Sequence, residues 1–219
     1  MPNPVAFDAD THTYTHPTTG RRYRSVTGVL ARLGLIGADW YTDAARDRGS
    51  RVHRASVDRA APLLPGDQGY LDALFAFEAQ AGLEPILVET PLADPLYDVA
   101  GMPDRIGYLA RLPAASTVTR RLRLTMAAAP TRRWLSIVDY KTGGPEPWHP
   151  IQLGGYHHLA LVNAIGGSPA QAYPVLPVAV YLHADGTFTP RVVPTRTREF
   201  LILASAAAIV DAAQNGGLA

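Results

Sequence analysis

Asp104, Asp139 and Lys141 are the residues of this chain whose types and spacing best suit chemistry. Asp104 lies in Gly101-Met-Pro-Asp-Arg-Ile-Gly-Tyr108, and the other two lie in Ile137-Val-Asp-Tyr-Lys-Thr-Gly143. Both stretches read as β-strands with an acid at the working end. Residues two apart on a strand point to one face, so Asp139 and Lys141 share a side. Two carboxylates and an ammonium are costly to desolvate together and are rarely assembled for stability alone. They suit a divalent cation, which takes hard oxygen ligands, beside a lysine that orients a water or meets a phosphate oxygen. The composition singles out the lysine, because 19 of the 20 cationic residues are arginine and Lys141 is the one lysine. A compact ammonium can position a small nucleophile where the broad guanidinium fork cannot.

The elements that must position these groups follow from the pattern. Residues 6–26 alternate about turn residues and read as a β-hairpin. Ser25 or Thr27 then caps a short helix through Leu33, stopped by Gly34. Asp39 caps a second helical stretch that breaks at Gly49 and runs on through Val57. Gly49 and His53 lie four apart on one face of it, and the glycine would let another backbone approach. Leu71, Leu74, Phe75 and Glu78 keep a helical period toward Gly82. Residues 86–92 and 101–109 read as strands, and residues 134–140 as the central strand. A helix over 150–164, strands at 177–182 and 187–193, and a helix over 196–214 complete the order. The sum is an α/β fold, a mixed central β-sheet flanked by α-helices, with residues 1–219 as one domain.

Composition narrows the chemistry. Hydrophobic content of 47% and charged content of 18% fit a globular chain, and the net charge of +1 gives no global positive field. The absence of cysteine excludes disulfides, cysteine catalysis, and Cys-ligated zinc or iron–sulfur clusters. No phosphate-loop or nucleophile-elbow motif is present. A glycosidase would use paired acids but has no need of Lys141. The first residues lack a secretory pattern, and no apolar run approaches the ~18 residues of a membrane span. A soluble, cytoplasmic protein is expected.

Pro103-Asp104 followed by Asp139-x-Lys141 resembles the signature of the PD-(D/E)XK nuclease superfamily. Around it, in order, Gly49-Ser-Arg-Val-His53, Glu89 and Gln152-Leu-Gly-Gly-Tyr156 are similar to the RecB-like branch, which includes phage exonucleases and CRISPR-associated nucleases. The likeness spans roughly residues 48–156, about half of the chain. It implies a restriction-endonuclease-like core and a metal-dependent deoxyribonuclease, without the iron–sulfur cluster of some relatives. Asp104, Asp139, the carbonyl of Tyr140 and His53 would hold Mg2+ or Mn2+, and Lys141 would position the attacking water. Glu89 would hold a metal-bound water or a second ion, or else is a surface glutamate. Gln152 and Tyr156, four apart on a helix, would direct an amide and a phenol at a phosphate or at the lysine.

By the same resemblance the product carries a 5′-phosphate, and the expected mode is exonucleolytic, in DNA recombination, repair or phage DNA processing. DNA is the implied partner, with a recombinase or single-strand-annealing protein as a protein partner and no membrane. The implied setting is the cytoplasm of a bacterial or phage-infected cell. Two other readings stay open: a structure-specific endonuclease or junction resolvase, and a catalytically silent DNA-binding protein of the same fold. His53 taken alone could be a helix histidine satisfied by a neighbour, and Asp104 and Asp139 could be strand-end acids paired with Arg105. His149, His157 and His158, without matching acids, read as helix-surface or DNA-facing residues.

Residues 111–133 stand apart. They carry Arg111, Arg120, Arg121, Arg123, Arg132 and Arg133 and no acid, which leaves 14 cations against 19 acids elsewhere. Strand-like residues 118–126 suggest an extended hairpin beside the site, laying arginines along a DNA backbone. A solvated loop whose arginines pair with nearby acids is the alternative.

Overall fold

The computed structural model describes residues 2–36, 43–113, 133–166 and 175–214. Ala6–Asp8 (β1), Thr13–Thr15 (β2) and Arg22–Ser25 (β3) form an antiparallel meander, so the expected hairpin has a third strand. Asp8 fixes the first turn, its Oδ1 accepting from the N–H groups of Asp10 (2.9 Å) and Thr11 (3.2 Å). Ser25 ends β3 and caps helix α1 (Val26–Arg32), its Oγ accepting from the Gly28 N–H at 2.8 Å. Past the helix, Gly34 takes φ 72°, and the N–H groups of Gly34 and Leu35 return to the carbonyls of Ala31 and Leu30.

Helix α2 (Asp43–Val57) runs through Gly49 without the expected break. One helical glycine costs only about 1 kcal/mol, which the burial of Val52 and Ala55 on the same helix outweighs. Nor does Gly49 mark a backbone approach, since a Cβ there would first meet Thr142 Oγ1 at 3.5 Å, an ordinary contact. The cap proposed at Asp39 lies outside the described residues. Helix α3 (Gln68–Ala81) buries Leu71, Leu74 and Phe77 and ends at Gly82 in the left-handed conformation.

The next stretch departs from the two long strands expected. It contains β4 (Leu83–Val88), β5 (Leu92–Asp94), β6 (Val99–Gly101) and β7 (Arg105–Leu109). Glu89, at φ 39°, ends β4, and Pro103, which has no N–H to give a ladder, lies between β6 and β7. After them come β8 (Trp134–Lys141), helix α4 (His149–Val162), β9 (Leu176–Leu182), β10 (Phe188–Val192) and helix α5 (Thr197–Gln214).

Among the described residues these strands make two mixed sheets in a mixed α/β arrangement with five helices. One sheet has the order β1-β2-β3-β6-β5, and the other β10-β9-β8-β7-β4. A second sheet therefore stands beside the single central one expected. In the larger sheet only the pairing of β8 with β9 is parallel, and α4 lies in the connection between them. Phe77 and Leu74 of α3 pack with Val138, Tyr140, Val178 and Val180 on one face. Leu153, Leu159 and Phe200 of α4 and α5 pack with Ile106, Ile137 and Ala179 on the other. Burial on both faces is why β8 is apolar along most of its length instead of alternating.

Candidate active site

The register of the larger sheet assembles the acids. Arg105 of β7 pairs with Val88 of β4 on one side and Val138 of β8 on the other. One step beyond that row lie Glu89, Asp104 and Asp139, side by side at one end of the sheet. The Glu89 N–H donates to the Asp104 carbonyl at 3.0 Å, continuing the ladder. Three residues far apart in sequence thus become neighbours through strand pairing alone.

Helix α2 brings His53 over this row. Its Nδ1 lies 3.1 Å from Asp104 Oδ1 and 3.7 Å from Glu89 Oε1, and its Nε2 lies 3.3 Å from the Tyr140 carbonyl. The Tyr140 N–H donates to Asp104 Oδ2 at 2.6 Å, so the backbone of β8 fixes the carboxylate of the neighbouring strand. Lys141 Nζ sits 2.6 Å from Asp139 Oδ2 and donates to Gln152 Oε1 at 2.7 Å, and Gln152 Nε2 donates to the Tyr156 hydroxyl at 3.1 Å. The C-terminal end of β8 and the first turns of α4 therefore hold one chain, Asp139–Lys141–Gln152–Tyr156. All the expected site residues outside the Arg-rich segment are brought together: His53, Glu89, Asp104, Asp139, Tyr140, Lys141, Gln152 and Tyr156.

The glycines between Gln152 and Tyr156 have a packing role. A Cβ at Gly154 would lie 2.5 Å from the Arg196 backbone, and one at Gly155 would lie 2.8 Å from Val26 and 2.9 Å from Phe200. They let α4 approach α1 and the start of α5 closely, which sets Gln152 and Tyr156 at their depth.

Burial works against every charge here, and the neighbours decide the outcome. Asp104 and Asp139 are 8% and 3% exposed. Burial pushes the Asp104 carboxyl up, but the His53 imidazolium, Lys141 and the Tyr140 N–H hold it below the usual carboxylate range. The Asp139 carboxyl is raised, because burial together with the Asp104 charge outweighs Lys141. For His53, burial pulls down, yet Asp104 and Glu89 hold its pKa up to about 10. The site carries three carboxyl groups against two cations and is short of positive charge.

That donor set suits a divalent ion. Carboxylate oxygens of Asp104 and Asp139, the Tyr140 carbonyl and one imidazole nitrogen are ligands that suit Mg2+ or, with the nitrogen, Mn2+. Glu89 Oε1 is buried with no hydrogen-bond partner, as a group waiting on a further donor or cation would be. Among the described residues no three acidic or histidine side chains already form a metal cage. The reason is visible: Asp139 is turned to Lys141, and Asp104 to His53 and the Tyr140 N–H. The residues present fit the ion once these ion pairs open and His53 gives up the proton that Asp104 and Glu89 hold on it.

Other expected residues are placed differently. Arg133 ion-pairs with Glu84 and lies 5.5 Å from the Tyr108 ring. It precedes β8 at the end opposite the site, roughly 20 Å from Asp139 at ~3.3 Å per strand residue. Arg120, Arg121, Arg123, Arg132 and the hairpin proposed around them lie outside the described residues. His149 and His158 are buried, not surface residues. His158 Nε2 meets Asp94 Oδ2 at 2.6 Å, an acid that sequence spacing did not pair with it. His157 Nδ1 bonds the Thr197 hydroxyl at 2.8 Å.

Sequence reasoning missed the group behind the site. Arg105 donates to Glu78 Oε1 at 2.9 Å, to the Asp104 carbonyl at 2.9 Å and to the Ser56 hydroxyl at 3.1 Å, and the Tyr140 hydroxyl donates to the same Glu78 oxygen at 2.9 Å. The available signal was Glu78 itself, an acid on the apolar stripe of a helix. The Trp148 ring, 5.4 Å from Lys141 Nζ, was also missed.

A groove of about 690 Å3 opens over the site, lined by residues of α2 and the meander together with Glu89, Asp104, Tyr140, Lys141, Gln152 and Tyr156. No protein-family model and no curated protein matches the sequence. Among solved structures, the chain is similar to one described as the crystal structure of SSO0001. The identity is 14%, over 86% of this chain and 75% of that one, with a TM-score of 0.32, a likeness too slight to bear on the fold.

Proposed function

We propose that this chain is a Mg2+- or Mn2+-dependent deoxyribonuclease with a restriction-endonuclease-like core. The observation that carries the reading is the row of Glu89, Asp104 and Asp139 across three paired strands, with Lys141 two residues beyond Asp139 and His53 above. Asp104, Asp139, the Tyr140 carbonyl and His53 would hold the ion, which when bound polarises a phosphate and lowers the pKa of a water. Lys141, steered by Asp139 and the Gln152 amide, keeps its ammonium fixed in the groove to orient a nucleophilic water and to offset phosphate charge. Gln152 and Tyr156 act through Lys141 as positioning residues. Glu89 accepts a proton or a hydrogen bond from water at the edge of the site. Residues that could shift from pairing with one another to pairing with substrate suit a site that closes its charge balance only when loaded.

An exonuclease that leaves 5′-phosphates in DNA recombination, repair or phage DNA processing is the mode we favour, on the resemblance of the motif. The deciding experiment is digestion of end-labelled linear and closed circular DNA, single- and double-stranded, in Mg2+ and in Mn2+. Cleavage of linear DNA from its ends supports the exonuclease, and cleavage of circles supports an endonuclease or resolvase. DNA binding with no hydrolysis under either metal would leave a silent binding protein and overturn the enzyme.

A further inference from the structure

We propose that the N-terminal meander is a base-stacking wall, and that single-stranded DNA lies between it and α2 with its bases against Phe7 and His12. The proposal rests on the nuclease reading above and adds the form of DNA that this site takes.

The groove has two walls of unlike chemistry. On one side the meander offers Phe7, His12 and Tyr14, all lining the groove. Their rings support one another, with Phe7 5.2 Å from His12 edge-on, 4.7 Å from Tyr14, and His12 6.0 Å from Tyr14. On the other side α2 offers Arg46, Gly49, Ser50 and Arg54. Arg54 is exposed and makes no ion pair among the described residues. Gly49 and Ser50 leave room for a backbone, and the guanidinium groups of Arg46 and Arg54 supply charge for it.

A single strand shows phosphates along one edge and bases along the other, whereas a duplex turns its phosphates outward and hides its bases. A groove that sets aromatic rings opposite guanidinium groups matches the first and not the second, because each unpaired base stacks on any aromatic face. Glu89, Asp104, Lys141 and both walls line the same groove, so a strand held this way would present its backbone to the site.

His12 adds an independent sign. It is exposed and adopts φ 51°, a left-handed conformation uncommon for residues other than glycine. It directly follows the Asp8 turn, whose hydrogen bonds reach as far as Thr11. An exposed ring held in this way against the edge of Phe7 adds little to a core, yet it extends the aromatic wall along the groove. Strain of this kind is kept where surrounding structure fixes it, often at binding sites.

The test is fluorescence anisotropy with three labelled ligands: a short oligo-dT, an abasic oligonucleotide with the same number of phosphates, and a duplex. Each is measured in EDTA and again in Ca2+. The wild type should bind oligo-dT about tenfold or more tighter than the abasic strand, as expected from one or two stacked bases. His12→Asn keeps a residue that tolerates left-handed backbone, and Phe7→Leu keeps apolar packing, with thermal melting to confirm that both fold. Together they should bring oligo-dT to within about twofold of the abasic strand, with the salt dependence of abasic binding unaltered. Equal wild-type affinity for oligo-dT and the abasic strand, tighter binding of duplex, or a double variant that keeps full base preference would each overturn the wall. Metal-dependent cleavage without base preference overturns the wall alone, and absence of both DNA binding and cleavage overturns it together with the nuclease.

Discussion

The strands β7 and β8 carry polar clusters on both of their faces, and the two clusters differ in kind. Behind them, Glu78, Arg105, Tyr140 and Ser56 form a closed set in which one acid meets one buried guanidinium and the hydroxyls fill the remaining positions. In front, the cations that meet Glu89, Asp104 and Asp139 among the described residues are His53 and Lys141, and one buried Glu89 oxygen has no hydrogen bond. A satisfied network fixes geometry, while an unbalanced one holds free energy that a ligand can release. The rear cluster is a brace for the strands and α2. The front cluster is the candidate site.

The contrast is most sharply tested by Lys141→Ala. Single-turnover cleavage should fall by at least about 10²–10³-fold, the usual cost of removing a preorganised charge from such a site. The fold and DNA binding should stay nearly intact, and unchanged turnover in the folded variant would remove Lys141 from the chemistry.

Glu78→Gln attacks the brace instead. Leaving Arg105, 3% exposed, without its acid should cost about 3 kcal/mol in denaturant unfolding. Mn2+ titrated into the folded variant should still bind. Loss of metal affinity with unchanged stability would reverse the roles assigned to the two faces.

Asp104→Asn and Asp139→Asn should abolish calorimetric Mn2+ binding and cleavage. In EDTA, Asp139→Asn should melt no lower than the wild type, since it removes a buried like charge beside Asp104. Wild type should gain about 2.7 kcal/mol in Mn2+ at a hundredfold excess over Kd, and neither variant should. Wild-type Mn2+ affinity in the variants would refute this ligand set.

A smaller effect tests how far the charge of the front face reaches. Burial, with Lys141 nearby, lowers the His149 pKa to about 3. His149 Nδ1 also accepts from the Glu146 N–H at 3.2 Å, which favours the neutral ring. Because the unfolded ring titrates near 6.5, the stability from keeping it neutral is full above that pH and is lost as pH falls toward 3. Over that window wild type should lose up to about 1.4 kcal/mol per pH unit more than His149→Asn. Parallel curves would show that the ring is not held neutral.

The smallest expected effect lies in the Arg-rich segment. Replacing Arg120, Arg121 and Arg123 with alanine should weaken DNA binding and flatten the slope of log affinity against log salt by roughly 0.7–0.9 per lost phosphate contact. Cleavage at saturating enzyme should change little. An unaltered slope would place the DNA path elsewhere.

What the sequence determined by itself was local or compositional. Ser25 as a cap, Gly34 and Gly82 as helix stops, the apolar core strand and the singular Lys141 beside Asp139 follow from the near-neighbour chemistry of the backbone and side chains. The Gly49 break failed because the cost of one glycine is small beside the burial of a helix face. The long strands at residues 86–92 and 101–109 failed because period alone cannot show that a chain changes sheets at Glu89 and Pro103. Only tertiary structure decided that Glu89, Asp104 and Asp139 share a row, since register belongs to pairs of strands and no strand carries it alone. It also decided that Glu78 braces Arg105, that His158 finds Asp94, and that an N-terminal meander forms one wall of the groove. Each of these joins residues with no periodic relation in sequence, and the energy that selects them, burial of charge against its partner, exists only once the chain is packed.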